Sequence, residues 1–440
     1  MPSTDIRSFD TPAGTIEAVV DGDVTRALGI PYARAERFGV PEEQPPFTEP
    51  FRADTPAPVP PQPSAEFVDQ LLPSMDHLQV DEHCQRLTVT VPSDAGDDER
   101  LPVMVWIHGG SYVLGGGDLP IHDARDLVTE QRVVVVTVTY RLGVLGFLGD
   151  GRSVPANLGL LDLVAALRWV QRNIAAFGGD PDTVTVFGQS AGADAAAHLM
   201  ISEGARGLFR RAIVQSAPLG LSRGRARMTR AMVRAVGAVT ADTPLDDVLA
   251  RQARATAVGA RYGLAGGMPF GTQYGSAPLP DERDTDRAWR SVAPDVDVLV
   301  GSGSDEAAMY VPLVPGIRTL ARSRAVRPLL RWLLVRPLTE AIYGRDVRRF
   351  VARHRAAGGR ATAYRLLRHP SVTPVGAVHM SDLPLLLGGR DAWAGCRFVP
   401  ERDWPEVERR GRALRAAWAG FARTGTVTAP DDETITFDRG

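Results

Sequence analysis

Short apolar runs rich in β-branched residues, separated by helical stretches, constrain the fold of this chain more than any other feature. The runs span 101–107, 133–140, 183–187 and 211–216. Between the second and the third, residues 160–177 place apolar side chains three and four apart, and Gly178-Gly179 follow. Continuous apolar runs are typical of strands buried on both faces, and the longer period is typical of a helix. Their alternation predicts an α/β fold with a mostly parallel central sheet flanked by helices.

The length of the chain bears on its domain organisation. Its 440 residues, 44% of them hydrophobic, suffice for one large core, and we predict a single domain over residues 1–440. The segments 217–290 and 311–359 are less regular, and we interpret them as cap-like helices. The second contains the basic amphipathic run 329–335, which could instead lie on a membrane surface. Residues 41–63 contain many prolines and indicate irregular surface chain.

Charge and composition exclude several classes of function. The formal net charge of −2 gives no long-range attraction to nucleic acid or to an anionic membrane. No apolar stretch approaches the roughly 18 residues of a membrane span, so we expect no stable membrane association. Cys84 and Cys396 are too few for a secreted disulfide framework, and the first residues contain no apolar run. These features predict a cytoplasmic protein and leave its oligomeric state open.

A strand–turn–helix pattern contains the clearest chemical motif. The apolar run 184–187 leads into Gly188-Gln189-Ser190-Ala191-Gly192, and residues 193–197 are strong helix formers. A G-x-S-x-G sequence in this context makes a tight turn that lifts the serine hydroxyl clear of the sheet. The helix N-terminus then lies beneath the serine and favours negative charge there. The pattern predicts an α/β-hydrolase fold, with Ser190 as its nucleophile.

The loop after the first apolar run offers backbone donors for an oxyanion. Residues 106–107 are followed by His108-Gly109-Gly110-Ser111, whose small side chains let N–H groups approach a substrate oxygen closely. We expect the donors to be Gly110, Ser111 and Ala191, the last being the residue after the nucleophile. A serine hydroxyl also needs a base to take its proton and a carboxylate to orient that base. In this fold the acid and then the histidine follow the nucleophile along the chain.

Several longer segments resemble the carboxylesterase type B (carboxylesterase/cholinesterase) family, in particular its bacterial para-nitrobenzyl-esterase-like members. The similar segments are 29–33 (GIPYA), 140–148 (YRLGVLGFL), 157–162 (NLGLLD), 165–182, 209–216 (FRRAIVQS) and 417–425 (AWAGFARTG). The resemblance covers most of the chain and is strongest from 101 to 216. It implies a serine carboxylic-ester hydrolase that acts through an acyl-enzyme on small to medium uncharged esters. It implies a small-molecule ester as the partner and no cofactor.

The same resemblance indicates the acid. The family has a D-E-G sequence whose glutamate is the triad acid, and here Asp305-Glu306-Ala307 corresponds to it, after the strand-like run 297–301. Glu306 is therefore the expected acid. Asp305 is the alternative, because Ala307 replaces the usual glycine and the turn could differ.

The resemblance also indicates the base. Of the eight histidines, only three follow Glu306, and His379 in Gly376-Ala377-Val378-His379 matches the family's G-A-x-H. His379 is the expected base, although Met380 replaces a common glycine, and His369 is the alternative. No H-E-x-x-H or C-x-x-C sequence occurs, so we expect no metal.

The loop before Cys84 departs from the family pattern. Secreted members close it with a disulfide that ends at the cysteine matched by Cys84, but no cysteine stands near Pro60, so that bond cannot form. The loop also holds the choline-binding tryptophan of cholinesterases, and no tryptophan occurs between Pro60 and Cys84. Gln189 stands where the family usually has glutamate, which removes a carboxylate beside the reacting centre. We therefore expect choline esters to be poor substrates.

The interval from Glu306 to His379 and the chain after Thr424-Gly425 are both short for the family. This shortening predicts a reduced cap and a wider or shallower gorge. Two other functions stay open from the sequence alone. A catalytically silent binding protein of this fold typically lacks the serine, whereas here all three catalytic roles are filled. An acyltransferase would use the same serine and pass the acyl group to an acceptor other than water.

Overall fold

Fourteen strands form the framework of the protein in the residues that the computed structural model describes, which are 5–63, 79–96, 99–313, 326–367, 376–396, 399 and 401–439. The strands are β1 (Ile6–Thr11), β2 (Gly14–Asp21), β3 (Val24–Pro31), β4 (Ala33–Arg34), β5 (Glu42–Glu43), β6 (Phe51–Ala53), β7 (Arg86–Pro92), β8 (Leu101–Ile107), β9 (Val134–Val138), β10 (Gly179–Gln189), β11 (Arg211–Gln215), β12 (Asp297–Gly303), β13 (Ala361–Leu366) and β14 (Ile435–Asp438).

Helices lie between most of the later strands. Those in the described residues are α1 (Arg125–Gln131), α2 (Gly143–Phe147), α3 (Leu158–Asn173), α4 (Ala191–Leu199), α5 (Ala226–Val236), α6 (Leu245–Gly259), α7 (Thr285–Val292), α8 (Arg327–Leu330), α9 (Arg336–Thr339), α10 (Arg345–Ala356), α11 (Leu383–Leu386) and α12 (Trp404–Thr424). A 3-10 turn, Ile174–Phe177, continues α3, and Gly178 ends it with a left-handed φ of 77°. This arrangement matches the helix predicted over 160–177.

One large sheet runs through the molecule in the order β1-β2-β3-β7-β9-β8-β10-β11-β12-β13-β14, with β6 paired to β2. Every neighbouring pair from β9 to β13 is parallel, whereas the pairs from β1 to β9 in that order, and β13-β14, are antiparallel. The prediction of a mostly parallel central sheet flanked by helices is confirmed. The antiparallel N-terminal edge was missed, because most residues of β1 and β2 are accessible and the two strands contain no continuous apolar run.

Alternate residues of the central strands pack into two cores on opposite faces of the sheet. In β8, Val103 and Val105 belong to one core, whereas Met104 and Trp106 belong to the other. Helices α3 and α4 cover the first face, and α1 and α12 cover the second. Because both faces are covered, every position of such a strand is apolar, which explains the continuous runs in the sequence.

The two segments interpreted as a cap follow β11 and β12. The first contains α5 and α6, which pack against each other. In the second, residues 327–356 run as successive α-helical and π-helical turns, while 314–325 lie outside the described residues. The role of these segments as a cap remains a prediction. In the described part of the chain, no helix combines the length and apolar character that crossing a bilayer requires.

A buried ion pair joins the chain after β9 to helix α3. The guanidinium of Arg141 donates from Nε and Nη2 to the two oxygens of Asp162, at 2.8 and 2.7 Å. The Arg141 backbone N–H also donates to this carboxylate, and Nη1 donates to the Gly39 carbonyl at 2.7 Å. Both side chains are buried. Removing one partner of such a pair is costly, because the other charge stays buried without compensation.

We therefore expect Asp162→Asn to lower the free energy of unfolding by about 3–5 kcal/mol. The measurement is urea unfolding followed by tryptophan fluorescence. The matched control is Asp94→Asn, which breaks an exposed pair with Arg132 and should cost less than about 1 kcal/mol. Equal losses of unfolding free energy in the two variants would show that the buried pair stabilises the fold no more than the exposed pair does.

Candidate active site

Ser190 lies at a tight turn between strand β10 and helix α4. Its backbone is left-handed, with φ 58° and ψ −122°, and its N–H donates to the Gln215 carbonyl of β11 at 2.9 Å. Such a conformation costs a non-glycine residue on the order of 1–3 kcal/mol, so the surrounding structure must impose it. The turn raises the hydroxyl above the carboxyl edge of the sheet, as the G-x-S-x-G pattern predicted.

The two glycines of the motif allow helix α4 to approach the sheet. A Cβ atom on Gly192 would lie 2.0 Å from the Ile107 carbonyl oxygen of β8. A Cβ atom on Gly188 would lie 2.7 Å from that same oxygen and from the Gly192 backbone. Larger residues at either position would push the helix away from the strand and move Ser190 with it.

The structure brings Ser190, His379 and Glu306 together in a hydrogen-bonded chain. The Ser190 Oγ lies 2.8 Å from His379 Nε2, and His379 Nδ1 lies 2.6 Å from Glu306 Oε2. The side chains of His379 and Glu306 are 4% and 1% exposed, so water competes little for these bonds. With the proton on Nδ1, the ring donates to the carboxylate, and Nε2 can accept the serine proton.

The second oxygen of Glu306 is also fixed. Oε1 accepts the Ser216 hydroxyl at 2.6 Å and the N–H of Gly303. Ser216 follows β11 directly, and Gly303 is the last residue of β12. Sequence reasoning missed both residues, although the similar segment 209–216 ends at this serine. Their bonds hold the carboxylate in the orientation that the imidazole needs.

Asp305, the alternative acid, faces away from the imidazole. Its carboxylate pairs with Arg331, whose Nη2 lies 3.0 Å from Oδ2, and accepts the Ser304 hydroxyl at 2.7 Å. The structure thus brings Glu306, and not Asp305, to His379.

The alternative base His369 lies outside the described residues. Met380, which replaces a family glycine, has a left-handed φ of 71°, which explains why glycine suits that position.

The loop that contains two of the expected oxyanion donors lies against the Ser190 turn. Within the described residues, no protein acceptor takes the backbone N–H groups of Gly110, Ser111 and Ala191. Gly110 has φ 114°, and a Cβ atom there would lie 2.0 Å from the Leu114 carbonyl oxygen. A Cβ atom on Gly109 would lie 2.8 Å from the Gln189 carbonyl oxygen, so the loop 109–111 presses against the turn. Ala191 begins α4, whose N-terminus favours negative charge.

Two tyrosines flank the imidazole on the side of the second cap-like segment. The rings of Tyr310 and Tyr343 have their centroids 5.8 and 5.5 Å from that of His379. Burial raises the pKa of Tyr310 to about 12 and the pKa of Tyr343 well above its usual value, so both stay neutral phenols. No motif marked them in the sequence. The Gln189 amide nitrogen lies 3.4 Å from His379 Nε2.

Other titratable groups near the site do not form a metal centre. Among the described residues, no three His, Cys, Asp or Glu side chains are grouped so as to hold a metal ion. Asp382 accepts the Gln215 amide N–H at 2.7 Å, and burial raises the pKa of this carboxyl to about 6. In the described part of the chain, Cys84 and Cys396 form no disulfide. Ser190, His379 and Glu306 are thus placed to act as nucleophile, base and acid.

This fold and this site define an α/β-hydrolase with a serine centre, and comparison with known proteins specifies its family. The model of the carboxylesterase family matches residues 10–325. The chain belongs to the carboxylesterase family and is a carboxylic-ester hydrolase.

Individual relatives agree with this membership over nearly the whole chain. The chain is 35% identical to a probable N-octanoylanthranilate hydrolase (AqdA2) of Rhodococcus erythropolis, over 96% of this chain and 94% of that protein. It is 31% identical to the para-nitrobenzyl esterase of Bacillus subtilis, over 94% of this chain and 89% of that protein. A solved thermophilic PNB esterase superposes with a TM-score of 0.79 at 27% identity, over 98% of this chain and 97% of that chain. The expected similarity to bacterial para-nitrobenzyl esterases is confirmed.

Two buried histidines behind the oxyanion loop link stability to pH. The ring of His108 stacks on Tyr140 with centroids 4.4 Å apart, and His122 Nδ1 bonds to the Gly116 carbonyl at 2.9 Å. Burial lowers the pKa of His108 to about 3 and that of His122 to about 4, below the unfolded value near 6.5. Between the folded and the unfolded pKa values, the unfolded chain binds more protons than the folded chain. The contribution of these neutral histidines to stability is therefore fully present above pH 6.5 and is lost as the pH falls towards their folded pKa values.

We expect replacement of His122 by Asn, whose amide can keep the bond to Gly116, to remove its share of this acid sensitivity. The advantage of the wild type over His122→Asn in free energy of unfolding should shrink by about 3 kcal/mol between pH 7 and pH 4. Urea unfolding at several pH values measures it, with the exposed His83→Asn as matched control. A difference that stays constant with pH would refute the role of His122.

Proposed function

We propose that the protein hydrolyses small to medium uncharged carboxylic esters through an acyl-enzyme on Ser190. The observation that carries this proposal is the continuous chain from Ser190 Oγ through His379 to Glu306, with distances of 2.8 and 2.6 Å. A silent binding protein would not need this chain of hydrogen bonds or the unoccupied donors beside it.

In this mechanism His379 takes the Ser190 proton as the oxygen attacks the ester carbonyl. Glu306 stabilises the imidazolium that forms. The N–H groups of Gly110, Ser111 and Ala191 donate to the tetrahedral oxyanion. When the C–O bond to the leaving alcohol breaks, His379 gives its proton to that alcohol. Water then attacks the acyl-enzyme, with His379 again taking and returning a proton, and the acid product leaves.

The groups around the site support the uncharged substrate class. Gln189 presents a neutral amide close to His379, and the nearby phenols of Tyr310 and Tyr343 stay protonated. Among the described residues, Glu306 is the carboxylate within ion-pair distance of His379, and its oxygens already accept bonds from His379, Ser216 and Gly303. Two aromatic rings beside the base suit an apolar or aromatic ester group.

One relative favours a second candidate activity. The relative that is 35% identical over nearly the whole chain is named for hydrolysis of N-octanoylanthranilate, in which the acyl group is joined to an aromatic amine. The same serine would form the same octanoyl-enzyme and release the amine. Turnover of p-nitrophenyl octanoate against N-octanoylanthranilate separates the two activities, and product analysis with an added alcohol detects acyl transfer.

The triad assignment predicts a contrast between neighbouring carboxylates. Glu306→Gln should lower kcat for a p-nitrophenyl ester by about 10²–10⁴-fold, because it removes the charge that stabilises the imidazolium. Asp305→Asn is the matched control, equally buried and adjacent, and should stay within about 10-fold because its carboxylate bonds to Arg331 and Ser304 rather than to His379.

Ser190→Ala sets the baseline of the same experiment, with a loss on the order of 10⁶-fold. The Ser190→Ala/His379→Ala double variant should be almost equally slow, because the triad acts as a unit. If Asp305→Asn were the crippling change, the acid would be misassigned although the class would stand. Activity of wild-type size in Ser190→Ala would refute the proposed mechanism.

A further inference from the structure

The mechanism leaves one buried carboxylate near the nucleophile without a role. Asp194 lies in the first turn of helix α4 and is 0% exposed. No arginine in the described residues forms an ion pair with it, and the chain has no lysine. Instead, Oδ2 accepts the Tyr112 hydroxyl at 2.7 Å and Oδ1 accepts the Ser222 hydroxyl at 2.6 Å. Burying a carboxylate without a directly bonded guanidinium is costly, which points to a specific use.

Tyr112 lies at the other end of one of these bonds, directly after the oxyanion donor Ser111. Both residues have left-handed backbones, with φ 54° for Ser111 and 61° for Tyr112. Consecutive non-glycine residues in this region are disfavoured, so contacts from outside the loop must hold them. The Tyr112 ring packs against Phe147 with centroids 4.2 Å apart, and its carbonyl accepts the Gly143 N–H at 2.7 Å. Its hydroxyl bonds to helix α4 through Asp194.

We propose that Asp194 is a positioning residue that ties the oxyanion loop to helix α4 through Tyr112. The inference rests on the proposed function. Ala191 stands one helical turn before Asp194, and Ser111 directly precedes Tyr112, so the phenol–carboxylate bond links the two halves of the donor set. The link keeps the N–H groups of Ser111 and Ala191 directed at the same point, where the transition-state oxyanion forms. Burial and the Asp194 charge hold the pKa of Tyr112 well above its usual value, which keeps the hydroxyl as the donor.

The remaining neighbours of Asp194 do not reach the loop. His198 Nδ1 lies 3.5 Å from Oδ2, bonds to the Asp194 carbonyl at 2.6 Å, and its Nε2 bonds to Tyr274 at 2.7 Å. The nearby guanidinium of Arg225 donates to the carbonyls of Leu221, Met268 and Pro269. Ser222 belongs to the first cap-like segment. Tyr112 is therefore the one side chain that can be removed to break the link and leave the rest of this cluster in place.

The test is Tyr112→Phe, which removes the hydroxyl and keeps the ring. Active sites are first counted with a fluorophosphonate, and kcat per reactive site is then measured with p-nitrophenyl butyrate. We expect kcat to fall by at least about 10-fold and KM to change by less than about 2-fold, because the donors act on the transition state. The affinity for a trifluoromethyl ketone, which forms a tetrahedral oxyanion adduct, should fall by the same factor as kcat/KM.

Ser222→Ala is the matched control, because it deletes the other hydroxyl bond to the same carboxylate and touches no part of the loop. Its kcat per reactive site should stay within about 2-fold of wild type, even if its stability falls. The proposal is overturned if Tyr112→Phe keeps wild-type kcat, or if Ser222→Ala loses as much.

Hydrogen exchange of residues 109–115 tests the link without any turnover. The loop amides should exchange faster in Tyr112→Phe than in wild type, and Ser222→Ala should leave them unchanged. A wild type that fails to hydrolyse esters would defeat the proposed function, while unchanged exchange in Tyr112→Phe would defeat the positioning role. The two failures are thus separable.

Discussion

The left-handed backbone of Ser190 is the constraint on which the rest of the site depends. It holds because three parts of the sheet meet there: β10 leads into the turn, β11 accepts the Ser190 N–H, and the end of β8 lies against Gly188 and Gly192. Each of these strands is buried on both faces, so none can shift to relax the turn. The core thus maintains a conformation that the isolated turn would not adopt.

Parallel pairing then brings the remaining groups to the same edge of the sheet. The oxyanion loop follows β8, Ser190 follows β10, Ser216 follows β11, and Glu306 follows β12. Because neighbouring parallel strands end at one edge, residues far apart in sequence become neighbours in space. His379 comes from the chain after β13, which is parallel to β12 and ends at the same edge. Its ring is held between the Glu306 carboxylate and the Ser190 hydroxyl, with Tyr310 and Tyr343 beside it.

Much of this could be predicted from sequence because the signals were local. The continuous apolar runs indicated the central strands, and the G-x-S-x-G turn indicated Ser190. The assignments of Glu306 and His379 depended on resemblance, and geometry now separates Glu306 from Asp305. Contacts formed only by folding could not be predicted. Ser216 and Gly303 around the carboxylate, Tyr310 and Tyr343 beside the imidazole, and the Tyr112–Asp194 bond join residues whose separation in sequence leaves no periodic pattern. The antiparallel edge was missed because half-exposed strands carry a weaker apolar signal.

The central claim is that Ser190 attacks the substrate and carries its acyl group. The most direct measurement uses diethyl p-nitrophenyl phosphate, whose adduct on a serine is too stable to turn over quickly. The account predicts release of about one p-nitrophenolate per chain, full loss of esterase activity in step with it, and a diethylphosphoryl group on the peptide that contains Ser190. Complete inactivation with the adduct on another residue, or continued ester hydrolysis once Ser190 is fully modified, would contradict it.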